Sequence, residues 1–435
     1  MKPQEKALPF TPYQKFIVAV LALLQFTIIL DFMVLSPIGD FLMKSLDITT
    51  KQFGLVVSAY AFSAGISGIL AAGFADKFDR KKMLMFFYIG FVLGTLFCGL
   101  SNSYEMLLAA RIVTGLFGGV IGAISMAIVA DLFVLNQRGR VMGFVQMAFA
   151  GSQILGIPIS LYLATRFNWH IVFFMIVVFA AIVGVLIMLK MKPVTEHLKL
   201  QSDKNAFLHL WHTLGNKDYQ KGFLATAFLS IGGFMLMPFG NSFLINNVHI
   251  DPKDLFLVSM FTGISSVIIM PIIGKVSDKV DKFKVFTFGS CLAIVMVLFY
   301  TNLSVIPLWE VVAINMLLFM GIMSRMIPSV SLTTAIPDMR DRGAFMSINS
   351  SLQQMAGGIA AIFAGLIVTQ KTKTSPLEHY DILGYVVAVV IVICIYFLYR
   401  VSVLVKSKTV QSMKPAEPLT EEQTGIPKPY NEKTT

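Results

Sequence analysis

The chain has 435 residues, of which 56% are hydrophobic and only 14% charged. Soluble chains carry about a quarter charged residues, so with a mean hydropathy of +0.75 a water-soluble enzyme with one buried core is excluded. Cys98, Cys291 and Cys394 all sit inside apolar runs, which leaves no disulfide framework and no metal cluster to expect. The net charge of +11 is tested first as membrane topology, not as nucleic-acid affinity.

A helix needs about 20 apolar residues to cross the hydrocarbon core. Twelve runs qualify: 15–39, 53–75, 83–101, 104–130, 141–164, 169–190, 221–246, 254–276, 284–302, 307–335, 344–369 and 381–405. The first lacks a small-residue cleavage site and is too long for a signal core, so it is expected to be retained. With the amino terminus placed in the cytoplasm, Lys and Arg divide 27 inside, 6 outside and 2 within spans. The bias repeats loop after loop, so a multi-pass protein of the cytoplasmic membrane with both termini cytoplasmic is expected. The basic charge then needs no nucleic-acid partner.

The longest polar interruption falls after the sixth span. It divides the chain into a terminus (1–14), a six-helix bundle (15–190), a linker (191–220), a second bundle (221–405) and a tail expected to be disordered (406–435). Residues 207–211 of the linker form an amphipathic piece suited to the membrane surface. The two bundles repeat one another. Asp76-Lys77-Phe78-Asp79-Arg80 corresponds to Asp278-Lys279-Val280-Asp281-Lys282 at an offset of 202, and Arg138, Arg140 and Gly156 meet Arg340, Arg342 and Gly358 at the same offset. This predicts an all-α fold of twelve transmembrane helices in two parallel-repeat halves, with the solute site between them near the midplane.

The segment from Ala72 to Lys82 resembles the signature that the major facilitator superfamily carries between its second and third helices. The stretch from Leu107 to Gly119, with Arg111 followed by Gly115, looks like the fourth-helix signature of that superfamily's drug:proton antiporters. The resemblance extends from Lys15 to about Val405. Ala72 and Asp79 stand where the family usually has Gly, and Ile157 separates Gly156 from Pro158 where the antiporters usually have adjacent Gly-Pro.

An ionisable group at membrane depth is costly and is a functional hypothesis by default. Asp31 in span one and Arg111 in span four are expected about 8 and 7 residues from the outer ends of their helices, roughly 10–12 Å deep at 1.5 Å per residue. The resemblance implies that these helices are neighbours lining the central cavity, so that the two side chains are within reach. Burial disfavours the charged carboxylate and a nearby guanidinium favours it; opposed in this way, they suit Asp31 to proton coupling, as the resemblance also implies. The alternatives are a static brace between two helices, or no contact at all. Arg325 in span ten has no acid in the interior of the spans of its half; Glu310 lies near the outer end of the same helix, about 22 Å away along it. It is expected to snorkel to the inner surface, the alternative being contact with an anionic solute group.

For the cytoplasmic gate, Asp76 is expected at the positive amino end of helix eleven, near Gly343 and Ala344, and the family pattern pairs Arg80 with Asp131. In the second half Asp278 and Lys282 correspond, but Thr333 stands where Asp131 would fall. Gly115, Gly118 and Gly122 follow Arg111 on one face and are expected to pack another helix closely. Gly156 with Pro158, and Gly357 with Gly358, are expected to let spans five and eleven bend. Candidate solute contacts are Gln25, Thr27, Gln146, Gln153, Asn241, Asn246, Asn315, Asn349 and Gln353, each of them expected first as an interhelical hydrogen bond, with solute contact the alternative.

With no phosphate-cradling glycine-lysine loop, no enzymatic constellation and no cofactor or metal are expected. The expected function is secondary transport by alternating access, as proton-coupled efflux of a small drug- or sugar-like solute. Proton symport or uniport of a metabolite is the alternative, and a non-transporting receptor on the same fold a third. The expected partners are the lipid bilayer, a small molecule and protons, with the chain acting as a monomer.

Overall fold

The computed structural model describes residues 9–72, 78–196, 198, 206–338 and 341–413. Fifteen α-helices occur among them: α1 Pro12–Leu46, α2 Thr50–Ala72, α3 Arg80–Leu100, α4 Tyr104–Leu132, α5 Leu135–Gly151, α6 Ile157–Arg166, α7 Trp169–Lys190, α8 Ala206–Gly215, α9 Lys217–Phe234, α10 Gly240–Asn246, α11 Leu255–Lys279, α12 Lys282–Thr301, α13 Leu308–Thr333, α14 Arg342–Ile367 and α15 Tyr380–Met413. Their ends follow local chemistry. Thr11 and Gln14 form a capping box at the start of α1, with Pro12 in the first turn, and Asp47 ends that helix in the left-handed region at φ 55°. Ser103, Asn168, Asp79 and Asp281 cap α4, α7, α3 and α12 with their side chains.

Among the described residues, eleven helices or helical runs are long and apolar enough to cross a membrane. The predicted seventh span, 221–246, is broken: α9 stops at Phe234 and α10 restarts at Gly240. Pro238 lies in the gap and cannot donate to a helical ladder. The freed carbonyls find side chains instead. Ser36 of α1 donates to Met237 O and Tyr380 of α15 to Leu236 O at 3.5 Å, while Tyr300 of α12 donates to Gly240 O at 3.3 Å where α10 restarts.

Span five is also irregular. A π-helical turn, Ser152–Gly156, joins α5 to α6 immediately before Pro158, one of the few sequence contexts that bend a helix sharply. α14 runs unbroken from Arg342 to Ile367 through Gly357 and Gly358, which receive Phe234 and Phe62. The tail expected to be disordered from 406 begins as helix, since α15 continues to Met413. In the linker the amphipathic piece is α8, with Leu210 buried and Trp211 75% exposed.

The buried apolar side chains divide unequally along the bundle axis. Toward the distal face, where α1 ends and α15 begins, they form one cluster shared by both halves, from Leu30 and Val34 of α1 to Phe239, Leu244 and Ile391. Toward the opposite, terminal face, where α1 begins and α15 ends, they separate into a first-half cluster around Leu24, Leu84 and Ile124, and a second-half cluster around Phe286, Phe345 and Leu398. The halves are therefore joined hydrophobically at the distal face. Small residues permit the closest approaches: a Cβ on Gly54 would come within 2.7 Å of Ala361 O on α14, and one on Gly119 would collide with the Ala64 carbonyl of α2.

Candidate functional site

Asp31 and Arg111 meet in the first half. Arg111 Nη1 donates to Asp31 Oδ2 at 2.7 Å, and both side chains are fully buried. Thr95 Oγ1 of α3 donates to the other carboxylate oxygen at 3.1 Å. The Tyr60 ring of α2 covers the guanidinium, with Arg111 Cζ 4.5 Å from its centroid, a geometry that stabilises a desolvated cation. Four helices thus build the site. Its charges are balanced but its hydrogen bonds are not: Arg111 Nε and Nη2 and Tyr60 Oη are buried without partners.

The distance of Asp31 from the end of its helix differs from the sequence expectation. The helix runs on to Leu46, well past the end of the apolar run, so Asp31 lies about 22 Å from its distal end at 1.5 Å per residue. Arg111 is only seven residues into α4. They meet because α1 overshoots α4 at the distal face. The pair lies inside the first-half bundle, beneath Tyr60, which in turn packs on Phe32 at 5.4 Å; Phe32 meets Phe234 of α9 at 5.8 Å. Tyr60 carried no sequence signal beyond its aromatic character.

The overshoot also carries a second acid that the span boundaries concealed. Asp40, 2% exposed, accepts from Asn246 Nδ2 of α10 at 2.7 Å and from Lys44 Nζ at 2.7 Å. Thr50 Oγ1 donates to Val368 O at 2.7 Å, and Lys373 pairs with Asp47 at 2.9 Å. Together with Ser36 these contacts form a polar clasp that closes the distal face between the halves. Asn246, a candidate solute contact, is committed to this clasp.

Arg325 does not snorkel. It is 1% exposed, with Nε donating to Ser290 Oγ at 3.1 Å, Cζ 5.6 Å from the Phe286 centroid, and Nη2 buried without a partner. It is held between α9, α12 and α13, where Gly232 and Gly289 leave room for it.

At the terminal face Arg80 Nε reaches Asp131 Oδ2 at 3.2 Å. Asp79, where the resemblance expects Gly, caps α3 and accepts from Val194 N at 3.0 Å, tying the linker to the helix start. Asp76 lies outside the described residues, as do the side chains of Asp278 and Gln146. Lys282 Nζ reaches the Ser277 carbonyl at 3.5 Å.

Of the fourth-span glycines, Gly115 and Gly118 abut Tyr60, whereas Gly122 has open space where a Cβ would be and packs nothing. Gly156 accommodates Leu30. Pro158 is buried in the first turn of α6. Thr27 and Asn315 turn back on their own helices, to Leu24 O at 2.7 Å and Val311 O at 3.3 Å. Gln153 is buried in the π turn. Gln25, Asn241, Asn349 and Gln353 remain half-buried, and Asn349 Oδ1 has no partner.

The family model of the Major Facilitator Superfamily matches residues 21–360. The chain belongs to this superfamily. It is 24% identical over 378 residues to the uncharacterized MFS-type transporter YbcL of Bacillus subtilis (strain 168), covering 87% of this chain and 95% of that protein. It is 26% identical over 281 residues to Multidrug resistance protein 2 of the same organism, 62% of this chain and 68% of the relative. In fold it is similar to a bacterial homolog of the human lysosomal transporter Spinster, with a TM-score of 0.72 at 16% identity over 92% of this chain and 99% of that one. This superfamily member is a membrane-embedded secondary transporter that moves a small molecule across the bilayer.

Proposed function

We propose that the chain exports a small, lipophilic organic solute in exchange for protons by alternating access, with both termini in the cytoplasm. The observation that carries this is the fully buried Asp31–Arg111 pair with Thr95 as its third member. A charge pair at membrane depth gives up several kcal/mol of solvation per ion, and uncharged side chains would brace α1 against α4 at less cost. Protonation of Asp31 cancels its attraction for Arg111, whose Nη2 and Nε are already short of acceptors. The guanidinium is then free to swing toward a new acceptor, and α1 is uncoupled from α4. Because α1 also carries Asp40 and Ser36 of the distal clasp, a shift of α1 loosens the seal that must open. The similarity to Multidrug resistance protein 2 supports an exporter of drug-like compounds.

Proteoliposomes holding the wild type or Asp31→Asn, loaded with a pH dye and challenged with lipophilic cations, sugars and organic acids, test this. Solute-driven proton movement that vanishes in Asp31→Asn is expected. Equal solute flux in both proteins, without proton movement, would overturn the coupling role and leave uniport.

A second reading rests on Arg325. A buried guanidinium with an unused Nη2 supports symport of an anionic metabolite. Selective uptake of organic acids, lost in Arg325→Gln, would favour it.

A further inference from the structure

Two aromatic rings, one from each half, pack on the shared distal cluster without being absorbed by it. Phe32 of α1 and Phe234 of α9 meet edge to face with centroids 5.8 Å apart, and both stay half-buried. Phe234 rests on α14, where a Cβ on Gly357 would come within 3.5 Å of its ring. Open space adjoins the rings. Gly233, next to Phe234, has nothing within 4 Å of where its Cβ would stand. It is nine residues from exposed Leu224 and three from buried Ser230. At 3.6 residues per turn the first separation is about two and a half turns, so the space lies on the side of α9 turned away from lipid. On α14, Ser350 is exposed seven residues before Gly357, and on α1 Gln25 is half-buried seven residues before Phe32. Seven residues return a helix nearly to the same face. The space is thus roofed by aromatic rings and flanked by an amide and a hydroxyl, the mixture that small-molecule sites use.

From this roof a line of ring contacts runs to the buried ion pair. Phe32 packs on Tyr60 of α2 at 5.4 Å, and Tyr60 covers the Arg111 guanidinium at 4.5 Å. Phe32 also follows Asp31 directly in α1. The Tyr60 hydroxyl bonds to nothing, so packing alone seats the ring, with Phe32 against it and Gly115 and Gly118 of α4 leaving room for it. Arg111, Tyr60 and Cys98 are the ionisable groups within electrostatic reach of Asp31 among the described residues, from α4, α2 and α3. A ring in this place holds the cation on its acid.

We propose that Phe32 and Phe234 bind an aromatic ring of the solute, and that Tyr60 passes its arrival to the Asp31–Arg111 pair. This rests on the proton-exchange reading above. A planar aromatic solute entering beside Gly233 packs on the two rings by offset or edge-to-face contact. It presses Phe32 onto Tyr60, and Tyr60 onto the guanidinium. Arg111 is then held against the charged Asp31 carboxylate, so the proton leaves as the solute binds. Phe32 and Phe234 are the groups that touch solute; Tyr60 is a positioning residue.

Full-length protein in detergent is titrated with ethidium, a planar permanent cation, and with tetrabutylammonium, a permanent cation without a ring. Ethidium binding is read by fluorescence polarisation, tetrabutylammonium by competition, and released protons by a pH dye in weakly buffered solution. Wild type is expected to prefer ethidium by about tenfold and to release protons on binding it. Phe234→Leu should weaken ethidium by about tenfold and erase that preference. Gly233→Leu, whose side chain points into the open space, should block ethidium while holding or raising the melting temperature, which keeps the test free of folding defects. Tyr60→Leu should bind ethidium within about threefold of wild type yet release no proton, and Tyr60→Phe should restore release. No ethidium binding by wild type, equal affinity for the two cations, binding indifferent to Phe234→Leu and Gly233→Leu, or full proton release in Tyr60→Leu would overturn the proposal. Proton release that persists in Asp31→Asn would overturn the exchange reading and the Tyr60 step with it, while the ring subsite stands or falls on the affinities alone.

Discussion

Asn246 Nδ2 donates to Asp40 Oδ1 at 2.7 Å, joining the two halves of the chain through a bond between side chains that are each at least 95% buried. The acceptor is a carboxylate, and hydrogen bonds to charged groups are worth about 1.5–3 kcal/mol. Replacing the donor with a second acid turns that attraction into repulsion. Asn246→Asp is therefore expected to open the distal face, raising the reactivity of a cysteine placed at Met237 toward an impermeant maleimide by about tenfold or more. Unchanged labelling would show that the apolar cluster alone holds the face shut.

Tyr60 contributes its ring, not its hydroxyl, to the buried ion pair. The ring lies 4.5 Å from Arg111 Cζ while Oη is buried without a partner. Tyr60→Phe should leave stability within about 1 kcal/mol of wild type, or improve it, because an unpaired buried hydroxyl is removed. Tyr60→Ala should cost about 3–5 kcal/mol, as other aromatic truncations do in packed interiors. Melting curves of the two variants in one detergent check the ordering.

The fourth helix offers an internal control for close packing. A Cβ at Gly119 would strike the α2 backbone, whereas one at Gly122 meets nothing within 4 Å. Gly119→Ala is expected to destabilise by about 1–3 kcal/mol through overpacking. Gly122→Ala is expected to be neutral or to stabilise by up to about 1 kcal/mol, since Ala is the better helix former. The difference in melting temperature between the two is the measurement.

Arg325 is a buried cation for which Ser290 and an aromatic ring stand where a carboxylate would be. Replacing buried charge with an apolar side chain of similar volume is often neutral or stabilising by about 1–4 kcal/mol. Arg325→Met should follow that pattern. A large fall in stability would instead mean that the guanidinium has an anionic partner in the folded protein.

Asp281, outside the spans, is held below the usual carboxylate range, chiefly by its hydrogen bond from Lys406 and also by the backbone N–H groups it caps. A depressed folded-state pKa contributes stability above the unfolded value of 3.8, and that contribution is lost as pH falls through the folded value. Asp281→Asn should therefore lower the melting temperature at pH 7, and the gap to wild type should narrow below about pH 4. A gap independent of pH would assign the loss to the cap geometry alone.

The sequence by itself determined the membrane class, most of the spans, the internal repeat and the superfamily. Those follow from the length of apolar runs and from motif spacing, which are local quantities. It also singled out Asp31, Arg111 and Arg325, because a charge within an apolar run is conspicuous wherever the chain folds. Only the tertiary structure decided what those charges touch. Asp40 was hidden because α1 stays helical beyond its apolar run, where it packs against α10 of the second half. The break at Met235–Phe239 was hidden because Ser36 and Tyr380, distant in sequence, satisfy carbonyls it frees. Tyr60 gave no signal beyond its aromatic character: a ring over a cation exists only once helices remote in sequence have been brought into contact.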